Sequence, residues 1–234
     1  MVRAAAVLAL GVGLAAYDLV AADLPSVSLG AEVAILGLLV IPATFALAWL
    51  CLPLRTWSRL PLAVLALAGL AAILDVAGLE LAANYLKFAA VIGAGWFFLR
   101  FFEEVTWVVL VALLIVPVDI FSVARGPTKT IIEEKPGIFD HLSIAFPVPG
   151  DASAAQLGLP DVLFFALFLG AADRFGLRVG LTWLLCTLSF GATLAITAFT
   201  DVNGLPALPL LSLAFVAANA DLLWRLRPRR RRTA

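Results

Sequence analysis

Asp119 and Asp161 stand in apolar surroundings, the first in Val116-Pro117-Val118-Asp119-Ile120-Phe121 and the second in Gly158-Leu159-Pro160-Asp161-Val162-Leu163. A carboxylate at membrane depth costs about 2.5–3.5 kcal/mol even on a lenient insertion scale, so it marks a functional site by default. Two carboxyls about 3 Å apart cannot both ionise easily and come to share one proton. Such a pair can take a proton from an attacking water and give one to a carbonyl oxygen and then to a leaving amine. The chemistry to expect is amide hydrolysis. The pair titrates as a unit, so neither residue is assigned as fixed acid or base. The same two residues also suit a structural polar link between neighbouring helices.

Helices must position these groups. The chain is 63% hydrophobic and only 14% charged, with a mean hydropathy of +1.07, far from the quarter charged of an ordinary soluble domain. Apolar runs long enough to cross a hydrocarbon core about 30 Å thick recur along it. Without the period-two alternation of barrel strands, they read as helices, which satisfy their own backbone groups in lipid. The expected fold is an all-α polytopic bundle of about eight transmembrane helices in a single integral membrane domain, 1–234. The spans fall near 3–22, 30–52, 60–79, 82–101, 105–125, 158–174, 178–199 and 206–225. Asp119 then lies roughly 9 Å from the outer end of its helix and Asp161 about 5 Å from the outer end of the next, at 1.5 Å per residue.

An even number of spans puts both termini on one side. Arg3, Arg55, Arg59, Arg100, Arg174 and Arg178 gather on the side of the basic tail at 226–234, while Asp23, Glu80 and Asp201 mark the other. The positive-inside rule therefore makes both termini cytoplasmic and the 126–157 loop extracytoplasmic. The arginine tail following an apolar helix reads as a topology anchor, and no nucleic-acid partner is expected. Arg3, the first apolar run and Val20-Ala21-Ala22 also resemble a signal peptide; the run is long for one, and a retained helix is the preferred reading. An excess of Arg over Lys, with abundant Ala and Leu, suits a GC-rich bacterial genome and hence a bacterial plasma membrane.

Three motifs occur in order: Val118-Asp119-Ile120-Phe121 with its exit at Arg125-Gly126-Pro127, Leu157-Gly158-Leu159-Pro160-Asp161, and Leu205-Pro206-Ala207-Leu208-Pro209. Together they resemble the presenilin and signal-peptide-peptidase family of GxGD intramembrane aspartyl proteases, over roughly residues 105–225. The resemblance implies a presenilin-like core, a catalytic pair Asp119 and Asp161, and active-site support from Gly158, Leu159, Pro160, Pro206, Ala207 and Leu208. It further implies membrane-spanning peptides or signal-peptide remnants as substrates. Two positions depart from the family pattern. Val118 stands where a tyrosine is usual, and Pro160 replaces the second glycine, fixing φ and removing an N–H. The family's usual span count is nine, one more than here.

The remaining polar residues read more plainly. Cys51 and Cys186 lie in apolar runs without a CxxC or Cys/His cluster, so they are expected as buried thiols, with no metal or cofactor. His141 is expected as a solvated loop residue, Asp75 and Lys87 as an interhelical ion pair, and Asp18, Asp173 and Asp221 as groups reaching the interface. Prolines and glycines break the 126–157 loop, within which Thr128 to Ile132 is a β-favouring run. Pairing of an unwound substrate with Thr128 to Ile132 or with the Pro206 region is one expectation. Two other functions fit the same carboxylates: a catalytically silent relative that binds membrane helices, and a proton-coupled transporter, the latter disfavoured by the lack of an inverted repeat.

Overall fold

The computed structural model describes residues 2–125, 136–200 and 205–225. Helices occupy all eight expected stretches. In chain order they are α1 (Val2–Val20), α2 (Leu29–Ile35), α3 (Ile41–Cys51), α4 (Leu60–Val76), α5 (Glu80–Phe98), α6 (Val105–Arg125), a short α7 (Pro136–His141), α8 (Leu159–Arg174), α9 (Val179–Phe199) and α10 (Leu208–Arg225). A π-helical turn, Leu36–Val40, joins α2 to α3. Pro42 has no N–H for the carbonyl four residues back, and a widened turn absorbs the mismatch.

Six of these stretches are long and apolar enough to cross a membrane: Val2–Asp23, Leu29–Thr56, Glu80–Phe101, Val105–Arg125, Val179–Phe199 and Leu208–Arg225. The chain is thus built as a helical membrane protein. α4 has 17 residues and α8 has 16. At 1.5 Å per residue these run only about 24–26 Å, short of a 30 Å core.

α8, the helix that begins beside Asp161, is the axis of the bundle. Val162 and everything from Phe165 to Ala172 are buried, as a helix apolar on all faces must be. α5 crosses it closely: a Cβ on Gly95 would fall 2.5 Å from the Leu163 carbonyl oxygen. Phe45, Phe88, Phe165 and Phe190 pack into one aromatic cluster, and Phe168 stacks on Phe215 with centroids 4.6 Å apart. α6 is the opposite case. It buries only Val105, Val108 and Ala112, exposes Leu113, Leu114, Val118 and Phe121, and leans mainly on α10.

The loop region contains regular structure that the proline-rich sequence concealed. Ser143–Pro147 (β1) and Ala154–Gly158 (β2) form an antiparallel hairpin, pairing Ser143 with Gly158 and Pro147 with Ala154. Thr128 to Ile132, the run expected to be β-favouring, lies outside the described residues, as do the arginines of the 226–234 tail.

Candidate active site

β2 runs straight into α8, so the hairpin delivers Asp161 to its place. Gly158 is the N-cap of α8 and Asp161 lies in its first turn. A third helical residue that reaches back towards the N-cap is half of a capping box. Gly158 has φ −59°, open to any residue; the space beside it is tight. A Cβ on it would sit 3.1 Å from Asp161 Oδ2. Pro160 occupies the second helical position, where its fixed φ suits the helix and its missing N–H costs nothing.

Asp119 arrives from the other direction, near the end of α6 and two residues after Pro117. Its Oδ2 accepts the backbone N–H of Leu208 at 3.1 Å. Leu208 is the first residue of α10, and a helix's first N–H groups have no partner within the helix. One of these free donors therefore binds the carboxylate. Pro206 and Ala207 lie outside the helix, which begins two residues later than the sequence suggested.

Asp119 and Asp161 open onto one cavity of about 440 Å³. Gly158, Pro160, Pro206 and Ala207 line the same space, together with Gln156 and Leu157 of β2 and Thr193 and Thr197 of α9. Leu159 and Leu208, the other two residues singled out in the sequence, are not among its lining. Leu208 is instead buried and acts through its backbone.

The two edges of the hairpin differ. Leu159 N–H donates to Leu142 O and Val148 N–H to Ser153 O. With this register, every second residue faces across the hairpin and the alternate residues face outward. On β1 the outward residues include Ala145 and Pro147, and both are engaged. Asn84 of α5 donates from Nδ2 to Ala145 O at 2.9 Å and accepts Ala145 N–H on Oδ1 at 3.0 Å. Pro147 has no N–H, and its carbonyl accepts the Tyr17 hydroxyl at 2.8 Å. On β2 the outward backbone belongs to Ala154, Gln156 and Gly158, and the last two line the cavity.

The hairpin is held from the α1, α4 and α5 side. Gly150, at φ +75°, gives its N–H to Ala21 O at 2.8 Å and packs so tightly on Ser26 that a Cβ would fall 2.5 Å from it. Lys87 Nζ donates to Asp140 O at 3.3 Å, and His141 Nδ1 meets Asp75 Oδ2 at 2.5 Å. These contacts correct two expectations. Asp75 pairs with His141 rather than Lys87, because α7 brings the histidine over the end of α4; and His141, though exposed, has a partner. Asp18 is also drawn inward, accepting the Tyr85 hydroxyl at 2.5 Å, while Asp173 and Asp221 pair with Arg55 and Arg178. Cys186 is buried, Cys51 partly so.

Asn84, Tyr17 and the hairpin carried sequence signals: an amide inside an apolar run, and alternating Ile144 and Phe146 before a Pro149-Gly150-Asp151 turn. Comparison with known protein families, curated proteins and solved structures returned no match for this chain.

Proposed function

We propose that the chain is a presenilin-like intramembrane aspartyl protease that hydrolyses peptide bonds in membrane-spanning segments or signal-peptide remnants. The observation that carries this reading is the single cavity onto which Asp119 and Asp161 both open, beside the outward edge of β2. Eight helical crossings in a bacterial plasma membrane, with cytoplasmic termini and the hairpin outside, complete the reading.

The mechanism follows from the charges. Two carboxyls in a low-dielectric cavity share a proton because double ionisation is too costly. The ionised member takes a proton from water as it attacks the scissile carbonyl, and the protonated member donates to the carbonyl oxygen. The amine then leaves with the proton that water surrendered. The Leu208 N–H fixes the Asp119 carboxylate, and the packing of Asp161 against Gly158 fixes its partner. A membrane helix must unwind before cleavage, and its freed backbone needs hydrogen bonds. Ala154 and Gln156 offer them, so an extended substrate adds as a third strand and meets the carboxyls at the end of β2.

A silent helix-binding protein is the second reading, since the same cavity and strand edge would hold an extended segment without cutting it. Purified protein in proteoliposomes with a single-span peptide separates the two. The proposal expects two complementary fragments; saturable binding with no fragment supports the silent binder.

A further inference from the structure

At the far ends of α5 and α8, opposite the hairpin, lies a second cavity of about 230 Å³, lined by Arg55, Thr56, Trp96, Leu99, Arg100 and Arg174. Three guanidiniums share this small space, and like charges so close repel unless held. Arg100 Nη2 donates to Trp57 O at 2.6 Å and to Arg55 O at 3.3 Å, and Arg174 Nη1 donates to Leu99 O at 2.7 Å. Carbonyl oxygens thus orient two of the three without cancelling their charge. Arg100 also lies over the Phe97 ring at 6.0 Å and Arg174 over Phe175 at 5.2 Å.

Among the described residues, Asp173 is the one carboxylate paired with any of these arginines, through Arg55 Nε at 2.7 Å. The cluster keeps two formal positive charges in excess. Trp96, only 4% exposed, forms the cavity's apolar floor and packs the edge of its indole against Gly170 of α8. The guanidinium N–H groups not used by the backbone carbonyls remain as charged donors beside the cavity.

We propose that this cavity binds the phosphate of an anionic phospholipid headgroup. Guanidinium forks match phosphate oxygens in geometry and charge. Position selects the lipid as the source. The cavity sits at helix ends, and Trp57, Phe98 and Phe101, next in sequence to its lining residues Thr56, Leu99 and Arg100, are exposed; aromatic side chains of this kind gather at headgroup level. This site is independent of the carboxyl cavity and of any proteolysis.

Native mass spectrometry of the detergent-purified protein, titrated with phosphatidylglycerol or phosphatidylcholine, tests it. Wild type is expected to retain phosphatidylglycerol preferentially. Arg100→Gln and Arg174→Gln should each weaken that retention by about tenfold, the loss of one charge-assisted contact. Arg59→Gln, an exposed arginine outside the cavity, should leave it unchanged. If Arg174→Gln does not fold, Arg174→Lys keeps a donor for Leu99 O but loses the fork, and should still show reduced selectivity. Equal retention of the two lipids, or equal losses in Arg59→Gln and Arg100→Gln, overturns the site. Displacement of the lipid by millimolar inorganic phosphate overturns the lipid as source in favour of free phosphate.

Discussion

The backbone N–H of Leu208 donates to Asp119 Oδ2 at 3.1 Å, so the first turn of α10 holds a carboxylate carried by α6. This contact gives the Pro206-Ala207-Leu208 segment a physical task. Pro206 lies just before the helix and Pro209 at its second position, and neither supplies an N–H. Leu208 is left to present its own. α6 is peripheral and carries Pro117 within it, and α10 adds a hydrogen bond that fixes the Asp119 carboxylate.

Leu208→Pro removes that one N–H at a position where a helix tolerates proline. Fragment production should fall by about tenfold or more, the worth of a hydrogen bond to a charged group, with helicity by circular dichroism unchanged. Leu208→Ala keeps the N–H and is the control for lost packing. Equal activity in the two variants would show that the hydrogen bond does not matter.

Gly158→Ala places a methyl group 3.1 Å from Asp161 Oδ2. Either the carboxyl or the β2–α8 junction must shift, and activity should drop while the protein stays folded. Pro160→Gly tests the neighbouring position. Because Pro160 fits the first turn, glycine there should lower stability by about 1 kcal/mol through backbone entropy and leave cleavage in place. A large gain of cleavage would instead mark the proline as an obstruction and favour the silent binder.

Gln156→Pro removes an outward N–H from β2, where an edge strand accepts proline. KM for an extended substrate should rise several-fold relative to Gln156→Ala, which loses only the side-chain bonds to Ser143 and Asp140. Identical KM values for the two would argue against strand addition.

Asn84→Ala leaves both the N–H and the carbonyl of Ala145 without the amide that now engages them. An unmade buried hydrogen bond costs about 1–3 kcal/mol, so thermal unfolding should shift downward. Hydrogen exchange at Ala145 should accelerate. Unchanged exchange there would mean that the clamp does not secure the hairpin.

Apolar run length located the eight long helical stretches, because burial in lipid imposes it on the sequence directly; the six-residue α7, in the proline-rich loop, was not expected. The two carboxylates were legible for the same reason: nothing but function or a partner excuses Asp119 and Asp161 at such positions. The hairpin was not. Its strands have five residues each, and Pro147, Pro149 and Gly150 argue locally for irregular chain. Tertiary contacts from Tyr17, Asn84 and Ala21 override that preference. Asp75 misled for a related reason. Lys87 is near it in sequence, whereas His141 reaches it only because α7 folds back over α4.

The central claim is that Asp119 and Asp161 together activate one water. Its most direct test is mass spectrometry of fragments from a single-span peptide in proteoliposomes, comparing wild type with Asp119→Asn and Asp161→Asn. The account predicts complementary fragments from wild type, a loss of at least about a hundredfold in each variant, and peptide binding retained in both. Undiminished fragment production in either variant contradicts it.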